Sequence, residues 1–200
     1  MKFEGPGTGD WERTQPHMVD EVFLGVDSID TVIPTLGEAK ITSPVFRGGG
    51  AAAQYSVSDE DRVLVDVTPS GLERLCREGR PFPSFEMAGP RETIYFDPSK
   101  ITCGIVTCGG LCPGINDVIR AIVMSLYHHY GVRNIWGFRY GYEGLSPQYG
   151  HAPVALSPQI VKDIHHSGGT ILGSSRGPQD VGSMVDTLEQ MHISTLYAIG

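Results

Sequence analysis

ITCGIVTCGGLCPGINDVIRAIVMSLYHHYG, residues 101–131, is the stretch whose reading decides the fold. Ile101 to Cys108 is a mostly apolar, branched run without strict alternation, which suits a strand buried on both faces of a parallel sheet. Gly109 to Gly114 breaks that run. Val118, Ile119, Ile122, Val123, Leu126 and Tyr127 then recur at helical spacing and define one apolar face. Gly131 is a natural stop, a glycine just past the last periodic residue.

The pattern repeats downstream. Ile135-Trp136-Gly137-Phe138 reads as a second strand, and Tyr140 to Gly150 as a long loop rich in glycine and tyrosine. Ser157-Pro158 is an N-cap followed by an N1 proline. Ile160, Val161 and Ile164 supply that helix with its apolar face, and Gly168-Gly169 ends it. Thr170 to Gly173 reads as a short strand or edge, residues 182–190 as a helix, and Ile193 to Ile199 as the last strand. Strands alternating with helices predict an α/β fold, a mostly parallel sheet flanked by helices and joined by right-handed crossovers. Ligands of such sheets bind at the carboxyl ends of the strands. That rule selects the loops 109–114, 140–146 and 173–180.

Upstream the character changes. Residues 1–100 hold 9 of the 14 prolines and 17 of the 23 acidic residues. Residues 1–58, with the low-complexity run Arg47-Gly48-Gly49-Gly50-Ala51-Ala52-Ala53, are expected to be extended or poorly ordered. Residues 59–100 are expected to hold little regular structure: a short strand at Val63 to Val67, and a few helical turns from Ser70 to Glu78. Ser70 and Glu73 there have capping-box spacing. Residues 101–200 form the α/β domain.

The formal net charge of −8 repels nucleic acid and anionic lipid, so neither is expected as a partner. No apolar core follows Met1-Lys2-Phe3-Glu4-Gly5-Pro6, and no run nears the roughly 20 apolar residues that span a bilayer. The expectation is a soluble, cytoplasmic protein with no membrane partner. Cys103, Cys108 and Cys112 lack the paired spacing of a structural zinc site. Cys103 and Cys108 read instead as small hydrophobes in a strand, which suggests a reducing compartment. His128-His129 and His165-His166 lie near helix C-termini, where a cation is mildly favoured, and Lys162-Asp163 reads as a solvated face.

Three loops carry the chemistry. Gly109-Gly110 lets the backbone approach a ligand closely, and the following helix presents its positive end, an arrangement for a phosphate. No G-K-[ST] closes the loop, and it lacks the dinucleotide fingerprint. A tight strand-to-helix turn without a ligand uses the same glycines. In Gly173-Ser174-Ser175-Arg176-Gly177-Pro178 an arginine among small residues can neutralise a phosphoryl oxygen, or form a surface ion pair. Tyr142, in Gly141-Tyr142-Glu143-Gly144, can border an aromatic base or pack within its own loop.

GIVTCGGLCPGINDVIR at Gly104–Arg120 resembles the first strand, glycine loop and helix of the 6-phosphofructokinases, and GGTILGSSRGPQD at Gly168–Asp180 resembles their second signature. AGPRETIYFDPSK at Ala88–Lys100 and YSVSDEDRVL at Tyr55–Leu64 are similar to the long plant and protist branch. The resemblance implies a Rossmann-like phosphofructokinase fold. It implies transfer of a phosphoryl group from ATP, with Mg²⁺, to the 1-hydroxyl of fructose 6-phosphate, and a homo-oligomer. It implies that Gly110 contacts the donor through its backbone and that Tyr142 borders the nucleotide. It also implies that Arg176 and Gly177 line the same site, with Arg176 stabilising the transferred charge. The branch resemblance favours ATP over pyrophosphate. A non-catalytic relative that binds full-length subunits is the rival from another class. Two departures stand out: Leu111 replaces the acidic residue that short bacterial members carry, and Gln179-Asp180 stands where they have a second arginine. Gly200 matches the first glycine of the family's G-G-D-G segment, so the general base and the Mg²⁺-handling aspartate are expected beyond it, and the chain is expected to be an N-terminal piece.

Overall fold

A computed structural model describes residues 29–47 and 55–200. Residues 1–28 and 48–54, which include most of the low-complexity run and of the expected extended region, lie outside the described residues. In chain order the strands are β1 (Ile41–Thr42), β2 (Arg62–Leu64), β3 (Ser84–Glu86), β4 (Thr93–Ile94), β5 (Thr102–Thr107), β6 (Asn134–Phe138), β7 (Val154–Ala155) and β8 (Ile193–Ile199). The α-helices are α1 (Pro69–Glu78), α2 (Ile115–Ser125), α3 (Pro158–Val161) and α4 (Val181–Gln190). The described residues divide into two compact units, 29–37 with 55–91 and 38–47 with 92–200.

In the first unit β2 pairs antiparallel with β3, Val63 opposite Phe85. The following helix starts earlier than its capping-box spacing suggests. Thr68, not Ser70, is the N-cap: its Oγ1 accepts a hydrogen bond from the Gly71 N–H at 3.2 Å. Pro69 decides this, since its fixed φ and missing N–H suit the first helical position, which puts the cap one residue before it. Gly79, at φ 63°, ends α1 in the left-handed conformation.

The second unit holds a four-stranded sheet ordered β7-β6-β5-β8. β6 and β8 run parallel to the central β5, and β7 is an antiparallel edge. The sheet is therefore mostly parallel and flanked by helices, as the alternation of elements predicts. Side chains alternate across β5. Cys103 and Ile105 face a cluster with Ile115, Ile119, Val123 and Leu126, together with Val161 and Leu172. Val106 packs on the opposite side with Phe138, Leu145, Met184 and Leu188. The buried stripe of α2 is thus Ile115, Ile119 and Val123, one helical face that Leu126 continues just beyond it, and Val118 points to solvent. Beyond α2 a π-helical turn, Leu126–Tyr130, closes on Gly131 at φ 77°.

The strand expected over Thr170 to Gly173 does not form. The chain turns there, with the Gly173 N–H donating to the Thr170 carbonyl at 3.2 Å and Gly173 at φ 71°. β7 already pairs with the free edge of β6, so no backbone ladder is left on that side. Among the described residues no helix is long and apolar enough to cross a membrane.

Candidate phosphate-binding site

The crossovers diverge at the carboxyl end of β5. The chain leaves towards β6 through α2 on one face, and β8 arrives on the other side after α4. A cleft at that point is where open α/β sheets bind ligands. Gly109 (φ 79°), Gly110 (φ 116°) and Gly114 (φ 90°) all occupy the left-handed region, which a side chain would strain. Gly114 caps α2 without a side-chain hydrogen bond, so the first turn of the helix offers backbone N–H groups and the positive end of its dipole.

The other two predicted loops converge on this one. The Gly110 N–H donates to Ser174 Oγ at 3.3 Å, and the Thr107 hydroxyl donates to the Gly173 carbonyl at 2.6 Å. The guanidinium of Arg176 lies so close that a Cβ on Gly110 would stand 3.1 Å from its Nη2. Gly141 belongs to the 3-10 turn Gly141–Leu145, and a Cβ there would be 2.9 Å from Ser175 Oγ and 3.1 Å from the Thr107 carbonyl oxygen. Tyr142, next in that turn, lies beside the Cys108 thiol and keeps 37% of its surface exposed. Burial pushes the Cys108 thiol up, and the neighbouring thiol in turn pushes the Tyr142 phenol up, so both stay protonated near neutrality. Cys108 stands just past β5 rather than within it. Gly177, at φ 111°, is exposed with open space around it. It neighbours Arg176 in the chain, and no contact ties it to Gly110.

Three contributors were not singled out from the sequence: Thr107, Ser174 and Asn116. Asn116 is a buried polar residue on the inner side of α2, and Thr107 is the hydroxyl-bearing residue at the end of a buried apolar strand. A polar side chain in an apolar pattern is the signal that could have marked both. A second hollow of about 440 Å³ adjoins the Tyr142 turn, lined by Arg139, Tyr140, Glu143 and His151 among others. Tyr140 is left-handed at φ 59°, its ring 4.6 Å from that of His151.

The arrangement combines inward backbone N–H groups, one guanidinium and several hydroxyls, a set that suits a polyanionic phosphate. It does not suit a magnesium ion, which takes oxygen ligands including carboxylates. Among the described residues no three His, Cys, Asp or Glu side chains gather as a metal site, and Leu111 stands in the loop itself.

Residues 102–200 match the family model described as phosphofructokinase. The chain is 46% identical over 173 residues to an ATP-dependent 6-phosphofructokinase of Amycolatopsis methanolica, covering 86% of this chain and 38% of the relative. It is 51% identical over 115 residues to the ATP-dependent 6-phosphofructokinase of Trypanosoma brucei brucei, covering 58% and 24%. The ATP-dependent 6-phosphofructokinase 7 of Arabidopsis thaliana is 36% identical over 196 residues, covering 98% and 36%. The chain spans less than two fifths of the length of each of these relatives. A β5 strand, glycine loop and arginine segment brought together in space, together with these matches, establish that the chain belongs to the phosphofructokinase family.

Proposed function

We propose that the protein transfers the terminal phosphoryl group of ATP to the 1-hydroxyl of fructose 6-phosphate. The observation that carries this reading is the Arg176 guanidinium held against Gly110 at the carboxyl end of β5. Phosphoryl transfer relies on positioning and on charge stabilisation rather than on covalent chemistry by the protein. In this reading the Gly110 backbone N–H, shared with Ser174 Oγ across a long 3.3 Å, and the open first turn of α2 hold the donor's phosphates. Arg176 neutralises charge that builds on the transferred group, and Gly177 lets the backbone follow the phosphates without a side chain in the way. The half-exposed ring of Tyr142 borders the nucleotide. Mg²⁺ would accompany ATP and neutralise phosphate charge. The residues described here do not assemble its ligand set, and no step is assigned to it through them. The proposal includes a homo-oligomer and a cytoplasmic location.

The test is a coupled assay of the full-length protein with fructose 6-phosphate and Mg²⁺, supplied with ATP or with pyrophosphate. Turnover with ATP alone supports the proposal. Turnover with pyrophosphate alone keeps the fold and the site but replaces the donor. No turnover with either, from protein shown to be folded, favours a non-catalytic relative that binds full-length subunits.

A further inference from the structure

Arg176 sits on a segment that no sheet ladder holds, and yet its guanidinium lies beside Gly110. One backbone bond, the Tyr140 N–H donating to the Leu172 carbonyl at 2.7 Å, reaches the segment that leads to it, and two buried polar side chains supply the rest. Thr107, fully buried, ends β5 just before the glycine loop, and Asn116, 2% exposed, opens α2 just after it. Asn116 is used at both ends: Nδ2 donates to the Ser167 carbonyl at 2.8 Å, and Oδ1 accepts from the Ile171 N–H at 2.9 Å. Thr107 Oγ1 donates to the Gly173 carbonyl at 2.6 Å and lies 3.1 Å from Thr170 Oγ1. The Leu172 N–H donates to Thr170 Oγ1 at 3.1 Å. Since the Thr107 proton is committed to Gly173, the Thr170 hydroxyl must donate to Thr107. A single directed chain of hydrogen bonds therefore runs from the Leu172 amide through two hydroxyls to the Gly173 carbonyl. The side chains of Thr107 and Asn116 are buried, so bonds of this kind are costly to leave unmade.

We infer that Thr107 and Asn116 are positioning residues for the proposed phosphoryl transfer. From either side of the glycine loop they fasten residues 167–173, and so set where Arg176 stands over Gly110. The inference rests on the proposed role of Arg176, but the fastening itself does not. Neither side chain touches the donor in this account. Each acts through the backbone that leads to the arginine.

The full-length protein tests it with Thr107→Val, Thr107→Ser and Asn116→Ala, and with Thr107→Val combined with Arg176→Ala. Expected is a fall in kcat of about tenfold for Thr107→Val, with KM for fructose 6-phosphate little changed, and recovery in Thr107→Ser. In the Arg176→Ala background the same valine should cost less than about twofold, because the group it positions is gone. Wild-type kcat in Thr107→Val, or an undiminished loss in the Arg176→Ala background, overturns the inference. Amide hydrogen exchange supplies a readout that needs no activity. The hydrogen-bonded amides of residues 171–173 should exchange about tenfold faster in Thr107→Val and Asn116→Ala, with β6 unchanged. Unchanged protection of that segment, or an equal loss across β6, also overturns it. If the wild type shows no turnover, the proposed reaction fails and exchange alone decides whether the two side chains hold the segment.

Discussion

Arg176 is an exposed cation whose long side chain is free to sample many rotamers in isolation, and its value to the site lies in being held beside Gly110. In the full-length enzyme Arg176→Ala should lower kcat by more than about tenfold, since a charge partner of the transition state is lost. An Arg176→Ala enzyme that turns over like the wild type would remove that role. Gly110→Val should raise KM for the donor: its φ of 116° disfavours any side chain, and the new Cβ would crowd Arg176 Nη2 at 3.1 Å. Steady-state kinetics with ATP varied reads that change directly. The cysteines divide by environment. Cys103 is fully buried and burial pushes its thiol up to about 11, whereas Cys76 and Cys112 are exposed. Thiol alkylation of the native protein at about pH 8 should therefore modify Cys76 and Cys112 and spare Cys103, as mass spectrometry of the labelled peptides would show.

At the scale of elements, a proline at the first helical position decides where each cap falls. Ser157 caps α3 as its sequence suggests, its Oγ accepting from the Ile160 N–H at 3.4 Å, because Pro158 marks the first helical position without ambiguity. The same logic applies at Thr68-Pro69, where the proline outweighs the capping-box spacing of Ser70 and Glu73. Thr68→Ala should cost α1 about 1 kcal/mol, seen as roughly fivefold faster amide exchange over its later residues. β5 and β6 are legible because buried parallel strands are written as apolar runs, and β8, a half-buried edge, keeps enough branched and aromatic residues to read as a strand. Thr170 to Gly173 has the composition of a strand as well. Whether such a run joins a sheet depends on a free neighbouring edge, and β7, a pair of residues with no distinctive pattern, occupies it.

For the whole molecule, a buried thiol on the central strand and a half-buried phenol on the edge strand β8 set a response to alkali. Burial pushes Tyr197 up to about 12, with Cys103 and Tyr130 adding to it, and Cys103 itself to about 11, from ordinary values of 10.0 and 9.0. Both groups are neutral in the fold and ionise more readily once unfolded. Their stabilisation is therefore complete below about pH 9 and is lost as pH rises through the folded values. Denaturation followed over that range should show a fall in stability that is shallower in Tyr197→Phe; an identical slope in the variant would count against the assignment. The sequence by itself determined the α/β class, the order of the main strands and helices, the glycine loop at Gly109-Gly110 and the candidacy of Tyr142, Arg176 and Gly177. Each of these is a local matter of periodicity, glycine chemistry or motif. Only the tertiary structure decided that the Arg176 segment lies over Gly110 without being a strand, and that Thr107 and Asn116 hold it there. Those contacts join residues more than fifty positions apart, and a hydrogen bond across such a separation leaves no periodic trace in the sequence.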